Sequence, residues 1–581
     1  MLEILKPIAQ TIHKMKKPYL AAILLVVLAF LFNQSTLRAQ IGLTNEAKNA
    51  MVVSASKEAS EAGLAMIKKG GNAIDAAVAT HMVLAVTFPQ AGNIGGGGFM
   101  IYKPVNQAAV ALDFREKAPT AASKDMYLDK NGIYISEASK IGPLAAGVPG
   151  SVAGLWEAHQ KYGKLAWADI IEPAIKLARE GFPLSYHEMN SLNYYRFRFA
   201  DFPSTLEIFS PKEDSLFKEG EVFVQTDLAN TLERIAESGR DGFYEGETAE
   251  LLVQFMKENK GLISLEDLQN YKAVWRPILE TTFAGYTLHL MPPTSSGGIA
   301  IAQMLGMLDA DKLIESGFLS ADYLHQLAEA MRRAFADRSA YLGDPDFSEI
   351  PQNGLLDKAY LAKRWASFNM DKASISSDLS EGKPNIESME TTHYSIIDAE
   401  GNAVAITTTI NGLYGNQMVV KGAGFFLNNE MDDFSAQPGV PNMFGLIGGK
   451  ANAIAPNKRM LSSMIPTIVS DETGKTRMIL GAAGGPRIIT SVMQTFLASA
   501  LFNLPAQRAV AAPRIHHQWF ADMLYVERYT LGSDTRSLLR KKGHRLADIS
   551  SIARSHLIFI NEDGVIEAGV DPRGRGASSG Y

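Results

Sequence analysis

The chain has 581 residues, 46% hydrophobic and 20% charged, with a net charge of −6, which describes a folded globular protein and excludes a disordered or fibrous one. Charges of both signs are mixed along it, so neither a basic nucleic-acid surface nor a nucleic-acid partner is expected. Cysteine is absent, which removes disulfides, thiolate catalysis and cysteine-ligated metals from consideration.

Lys14, Lys16 and Lys17 precede an apolar run from Pro18 to Phe32, followed by polar residues and LRAQ. The run falls short of the roughly 20 residues of a full membrane span. It predicts an export signal over residues 1–39, cleaved after Ala39, with an uncleaved anchor as the alternative. Either way the remainder is expected outside the cytoplasm, periplasmic or extracellular, and membrane-bound only if this segment is retained. MVVSAS (51–56) predicts a strand, followed by a helix from Lys57 to Lys68 that Gly70 and Gly71 stop. A second, Ala-rich helix starts near Asn72 and ends before Pro89. GNIGGGGFM (92–100) is too rich in glycine for either element and predicts a loop or a close approach of backbones. Residues 150–375 are expected to be mainly helical, with 263–271 and 323–342 as amphipathic examples. The polar stretch 371–390 lacks any periodic apolar pattern and is expected to be exposed and mobile. From Thr391 onward the pattern turns to hairpins, at 391–409, 467–480 and 556–570, with helical segments around 487–503 and 533–543. Sheets with helices on their faces make a layered α/β architecture the expected fold.

Several stock motifs fail. Ser151 lacks the GxSxG context of a nucleophile elbow. TGKT (473–476) lacks the upstream glycine of a phosphate-binding loop, because Val469 stands there. His516 and His517 are adjacent, without metal-ligand spacing, and are expected to be a surface pair. No metal and no other cofactor is expected.

The junction at Glu390–Thr391 says more. A polar segment meets a strand that opens with TTHYS, and a threonine hydroxyl needs a base beside it to act as a nucleophile. If the chain were cut before Thr391, its own α-amine, with an unperturbed pKa of about 7.7–8.0, could be that base. Alone this signal is ordinary, because threonine is a common strand former.

TTHYSIIDAEGNAVAITTTING (391–412) resembles the start of the small subunit of the γ-glutamyltransferases, members of the N-terminal-nucleophile hydrolase superfamily. GGNAIDAAVA (70–79), GGGGFM (95–100), DFRE (113–116), GVPGS (147–151), PPTSSGG (292–298), NNEMDDFS (428–435), PGVPN (438–442), PNKRMLSSMIPT (456–467) and GAAGGPRI (481–488) match in the same order. The resemblance implies a four-layer αββα sandwich made of two chains after self-cleavage between Glu390 and Thr391. These would be a large subunit, 40–390, and a small one, 391–581, which stay together as one catalytic unit. It implies that Thr391 forms a γ-glutamyl acyl-enzyme from glutathione or another γ-glutamyl compound, resolved by water or by an amino acid or dipeptide acceptor. Thr409 matches the threonine that bonds to the nucleophile, and Gly484 and Gly485 match the oxyanion hole. Arg115, with Ser462 and Ser463, matches the grip on the donor α-carboxylate. Asn411, Glu430 and Asp433 match the α-amino and donor contacts.

One position departs from the family pattern. The loop PGVPNMFGLIGG (438–449) resembles a lid over the donor pocket in which a tyrosine can bond to the asparagine matched by Asn411, and this chain has Phe444. A looser lid is the expectation, shifting the balance towards hydrolysis; apolar packing of Phe444 is the alternative. Among relatives, a cephalosporin acylase or a poly-γ-glutamate depolymerase is the nearest rival reading. Arg115, Ser462, Ser463 and Asp433 argue against both. A processed but inactive surface binding protein is the rival from another class.

Overall fold

A computed structural model of the chain describes residues 45–211, 215–379, 391–437, 440–446 and 448–581. The N-terminal apolar run, the position after Ala39 and Glu390 lie outside the described residues. Among the described residues no helix is long and apolar enough to cross a membrane.

Two seven-stranded sheets form the centre. In one, Thr392–Ile397 and Ala403–Thr409 lie in the middle, between Met51–Ser54 on one side and Gly97–Lys103, Val110–Phe114 and Val274–Arg276 on the other. Ala577–Gly580 closes it beyond Met51–Ser54. This sheet therefore interleaves strands from before and after Thr391. The other sheet centres on Thr476–Ala483, flanked by Arg554–Ile560 and Thr467–Ser470.

Side chains that alternate along a strand face opposite ways, and here both directions are buried. Val53, Phe99, Ile101 and Ala405 share one apolar cluster with Leu288, Met478, Leu480 and Leu557 of the facing sheet. Their neighbours Val52, Met100, Tyr394, Ile396 and Val404 join Ile74, Val78 and Met82 of the covering helix Ala73–Thr87. Each Val, Leu, Ile, Phe or Met side chain among them contributes roughly 1.5–3 kcal/mol on burial, which is why strands buried on both faces read as continuous apolar runs. Helices Gly297–Met307, Ala321–Tyr341 and Arg487–Phe502 cover the second sheet. The layered αββα order expected from the sequence is the one observed.

The predicted early elements fall where expected. The first helix is Lys57–Lys68, and the second, Ala73–Thr87, starts at Asn72 through a capping box with Asp75. The three predicted hairpins are present, and Asp471–Lys475 is a hairpin turn rather than a phosphate loop.

Two expectations hold with added detail, and two need correction. Within 150–375, Leu279–Phe283 and Tyr286–Leu290 form a hairpin at a sheet edge and Val274–Arg276 edges the other sheet. The β-branched run LETTF before an Ala-Gly turn was the available signal. Gly97 and Gly98 belong to a strand rather than a loop, although close backbone approach is what requires them. A Cβ on Gly96 would come 2.1 Å from the Thr409 carbonyl oxygen, and one on Gly98 2.5 Å from that of Thr407.

The polar stretch is anchored in its first part. The Ser374 amide donates to Glu329 (3.1 Å), the Ser376 amide donates to Asp522 (3.0 Å), and Trp519 Nε1 donates to the Ser376 carbonyl (2.9 Å). Residues 380–390 lie outside the described set. His516 and His517 are fully buried, not a surface pair. Both imidazoles find partners inside, His516 with Thr490 and Gln518 and His517 with the Trp519 amide.

Candidate active site

Thr391 sits one residue ahead of the inner strand Thr392–Ile397 and is 5% exposed. The antiparallel register pairs Thr392 with Thr408, so Thr391 and Thr409 fall opposite each other at the end of the hairpin. Thr409 Oγ1 accepts the Asn411 amide at 2.7 Å, which holds Asn411 in a left-handed turn (φ 71°). The facing strand Thr476–Ala483 ends at the same level and delivers Gly484 and Gly485. The two sheets meet tightly here: a Cβ on Gly481 would lie 2.3 Å from the His393 ring, and Ser395 Oγ donates to the Ile479 carbonyl.

Gly484 (φ 147°) and Gly485 (φ 54°) lead directly into the helix Arg487–Phe502. Backbone N–H groups at a helix start carry positive potential, which suits a developing oxyanion. At Gly484 an added Cβ would lie 2.8 Å from Cα and Cβ of Ala553. Taking Gly484 as the oxyanion donor that the resemblance implies, Gly484→Ala is expected to displace this turn and reduce kcat by roughly 10²–10³-fold. Turnover of a chromogenic donor by protein with an unchanged melting temperature checks it.

Strand Val110–Phe114 carries Arg115 to the opposite wall, where the guanidinium is completely buried. Asp113 sets the approach by accepting the Arg115 amide (3.0 Å) while it pairs with Arg276 and Arg459. The guanidinium forks onto two carboxylates, Nη1 to Glu430 and Nη2 to Asp433 (2.5 Å), and Nε donates to the Met460 carbonyl (3.3 Å). Both acids come from the 3₁₀ turn Glu430–Asp433. Ser462 and Ser463 follow Leu461 in a segment bridged to the PPTSSGG loop, where the Ser296 amide and hydroxyl both donate to the Ser462 carbonyl (2.8 and 2.6 Å). Arg338 Nη2 donates to Ser463 Oγ at 3.3 Å.

Thr391, Thr409, Asn411, Arg115, Glu430, Asp433, Ser462, Ser463 and Gly485 thus line one small cavity with Phe444, Met464 and Ile488. Gly484 adjoins it. Phe444 packs into this wall, while Asn411 Nδ2 donates to the Asn429 carbonyl (2.9 Å) and lies 3.6 Å from the Met443 sulfur.

Three residues of the site were missed by sequence reasoning: Glu116, Arg338 and Asp432. Glu116 stood within DFRE; Arg338 lies in an amphipathic helix with no local signal. The site is overloaded with acid, because Glu116, Glu430 and Asp433 surround one guanidinium. Burial pushes all three carboxyls up against the opposing pull of Arg115, Glu116 to about 7. Arg338 is brought down by burial to about 10 and stays cationic. Neither Glu116 carboxylate oxygen has a hydrogen-bond partner.

A carboxyl whose folded pKa exceeds its unfolded value of 4.5 contributes stability below that value and loses it as pH rises through about 7. Glu116→Gln is therefore expected to melt higher than the parent, with a gap that widens between pH 5 and 8. Thermal melts across that range test this, and a constant gap would contradict it.

Two facing sheets between helical layers, with a buried threonine at the head of an inner strand, form the fold of the N-terminal-nucleophile hydrolases. The family model for gamma-glutamyltranspeptidase matches residues 59–581. The chain is 46% identical over 528 residues to the glutathione hydrolase proenzyme of Escherichia coli K12, covering 91% of each chain. Its fold superposes on a Bacillus halodurans cephalosporin acylase with a TM-score of 0.81 at 26% identity, covering 93% of this chain and 97% of that one. It superposes on Helicobacter pylori gamma-glutamyltranspeptidase with a TM-score of 0.56 at 42% identity, covering 59% of this chain and 97% of that one. The chain belongs to the γ-glutamyltranspeptidase family.

Proposed function

We infer that this protein is a γ-glutamyltransferase and glutathione hydrolase, made as a proenzyme that cleaves itself between Glu390 and Thr391. Thr391 then attacks the γ-carbonyl of the donor, with its freed α-amine taking the hydroxyl proton and Thr409 bonding to the nucleophile. Gly484 and Gly485 hold the tetrahedral oxyanion, whose collapse breaks the γ-amide C–N bond, passes the proton from the α-amine to the departing amine and leaves a γ-glutamyl ester on Thr391 Oγ1. Water releases glutamate, and an amino acid or dipeptide acceptor takes the γ-glutamyl group instead. The two products of self-cleavage stay together, because strands from both sides of Thr391 alternate within one sheet. The apolar run after Lys14, Lys16 and Lys17 supports export to the periplasm or beyond.

The observation that carries the reading is the Arg115–Glu430–Asp433 fork beside Thr391. A free glutamyl head brings an ammonium and a carboxylate together, so it can exchange partners with this fork. Its amine takes the acids and its carboxylate takes Arg115, Ser462 and Ser463, leaving no buried charge unpaired. A donor lacking either charge would strand one, at a cost of about 3–5 kcal/mol. This favours the γ-glutamyl reading over that of a cephalosporin acylase despite the shared fold.

The test compares γ-glutamyl p-nitroanilide with its N-acetyl derivative. The free donor should turn over, and blocking the amine should reduce kcat/KM by roughly 10²-fold or more, given tenfold per 1.4 kcal/mol. Equal use of both would refute the zwitterion reading, and release from neither would favour a binding protein.

A further inference from the structure

The loop over the donor cavity is held from two sides, and one side has no counterpart in the catalytic machinery. On the donor side, Asp432 accepts the Met443 amide (2.8 Å) and Asp433 accepts the Asn442 side-chain amide (3.0 Å). Within the loop, Asn442 Oδ1 accepts the amides of Phe444 (3.0 Å) and Leu446 (3.1 Å), which turns the carbonyls of Phe444 and Gly445 outward. Both carbonyls are met by Gln518 Nε2, at 3.3 and 3.2 Å.

The orientation of that amide is dictated by chemistry. Carbonyl oxygens only accept, so the NH₂ of Gln518 must face the loop and Oε1 must face away. Oε1 lies 2.9 Å from His516 Nε2, which must then carry the ring proton, leaving Nδ1 to accept from Thr490 Oγ1 at 2.9 Å. His516 and Thr490 are completely buried, and burial lowers the imidazole pKa to about 3, so the ring is neutral and holds one tautomer. Thr490 lies in the first turn of the helix that starts behind Gly484 and Gly485. A continuous chain thus runs from that helix through Thr490, His516 and Gln518 to the backbone of the loop.

We propose that Gln518, aimed by His516, is a positioning residue that latches this loop over the donor cavity. The proposal rests on the γ-glutamyl reading for what the cavity binds. Phe444 offers no hydroxyl to Asn411, so closure here depends on the loop's backbone and on Asn442. Without Gln518 the loop keeps its bonds to Asp432 and Asp433, the Met443 contacts with Asn411 and Asn429 and the packing of Phe444, but loses its tie on the other side, and its closed population falls. A ligand that needs the closed form then binds more weakly in proportion to that population, while the chemistry at Thr391 is untouched.

The experiment uses the full processed protein with Gln518→Leu and, separately, Gln518→Glu. Both remove the donor to the loop, but Gln518→Glu keeps an oxygen for His516. Two readouts are taken: the inhibition constant of L-glutamate with kcat for the p-nitroanilide, and the rate of chymotrypsin cutting at Phe444 and Leu446 without ligand. Both variants should weaken glutamate about three- to tenfold, leave kcat within about twofold and speed loop cutting by a similar factor, since one hydrogen bond's worth of closure is lost.

Unchanged binding and cutting in both variants would overturn the latch. So would a parent-like Gln518→Glu beside a defective Gln518→Leu, which would mean that the side chain only supports His516. A parallel fall of kcat, processing and melting temperature would assign Gln518 a structural role and overturn it as well. Loop cutting judges the latch even if the parent shows no γ-glutamyl turnover, an outcome that would sink the functional reading instead.

Discussion

Thr391→Ala should give a single uncut chain with no measurable turnover of any γ-glutamyl donor. Four threonine and serine hydroxyls line the cavity, those of Thr391, Thr409, Ser462 and Ser463. Thr409 Oγ1 accepts the Asn411 amide, Ser462 Oγ accepts the Met464 amide and Ser463 Oγ accepts from Arg338. Only Thr391 stands at a position where chain cleavage would place a free α-amine on the same residue. One hydroxyl would serve both attacks, first on the carbonyl before it and then on the donor, so both functions should vanish together. Intact mass and N-terminal sequencing check the first, and p-nitroaniline release checks the second. Thr391→Ser, which keeps the hydroxyl, should retain both in part. An alanine variant that still yields two chains would show that another group attacks.

Arg115→Lys should be almost as damaging, despite conserving charge. The guanidinium, itself fully buried, reaches Glu430 and Asp433 at once and adds a bond to the Met460 carbonyl. A lysine ammonium is a point charge that cannot span both acids in this geometry. One buried carboxylate would lose its partner, at a cost of about 3–5 kcal/mol shared between stability and donor binding. A fall in kcat/KM of at least roughly 10²-fold is expected, along with a lower melting temperature. Near-normal kcat/KM for glutathione would mean that Arg115 takes no part in donor recognition.

Much of this molecule follows from short-range patterns. The hairpin 391–409 is legible because β-branched residues flank a turn at Asp398–Gly401, and Gly401 takes the positive φ (92°) that the turn needs. The helix at Ala73 is legible because Asn72 and Asp75 cap it reciprocally. The site residues were legible only through the resemblance of whole motifs. An arginine after a strand, two acids in a turn and two glycines before a helix are each commonplace.

The hairpin at 279–290 was obscured by its helical surroundings, and the burial of His516 and His517 by their polar type. Polar residues usually face water, and only the partners Thr490, Gln518 and the Trp519 amide make their burial affordable. The first part of the polar stretch was misjudged for the same reason. Nothing near Ser374 and Ser376 announces that Glu329 and Asp522 will satisfy their amides.

By itself, the sequence determined the first strand and two helices, the three hairpins from Thr391 onward, the candidate nucleophile and the family motifs, because propensity, capping and turn chemistry act over a few residues. The tertiary structure alone decided that Arg115 meets Glu430, 315 positions away, that Thr391 and Gly485 share one cavity and that Gln518 reaches the loop above it. Those contacts depend on how two sheets register and pack, and no local energy term along the chain encodes a partner hundreds of residues distant.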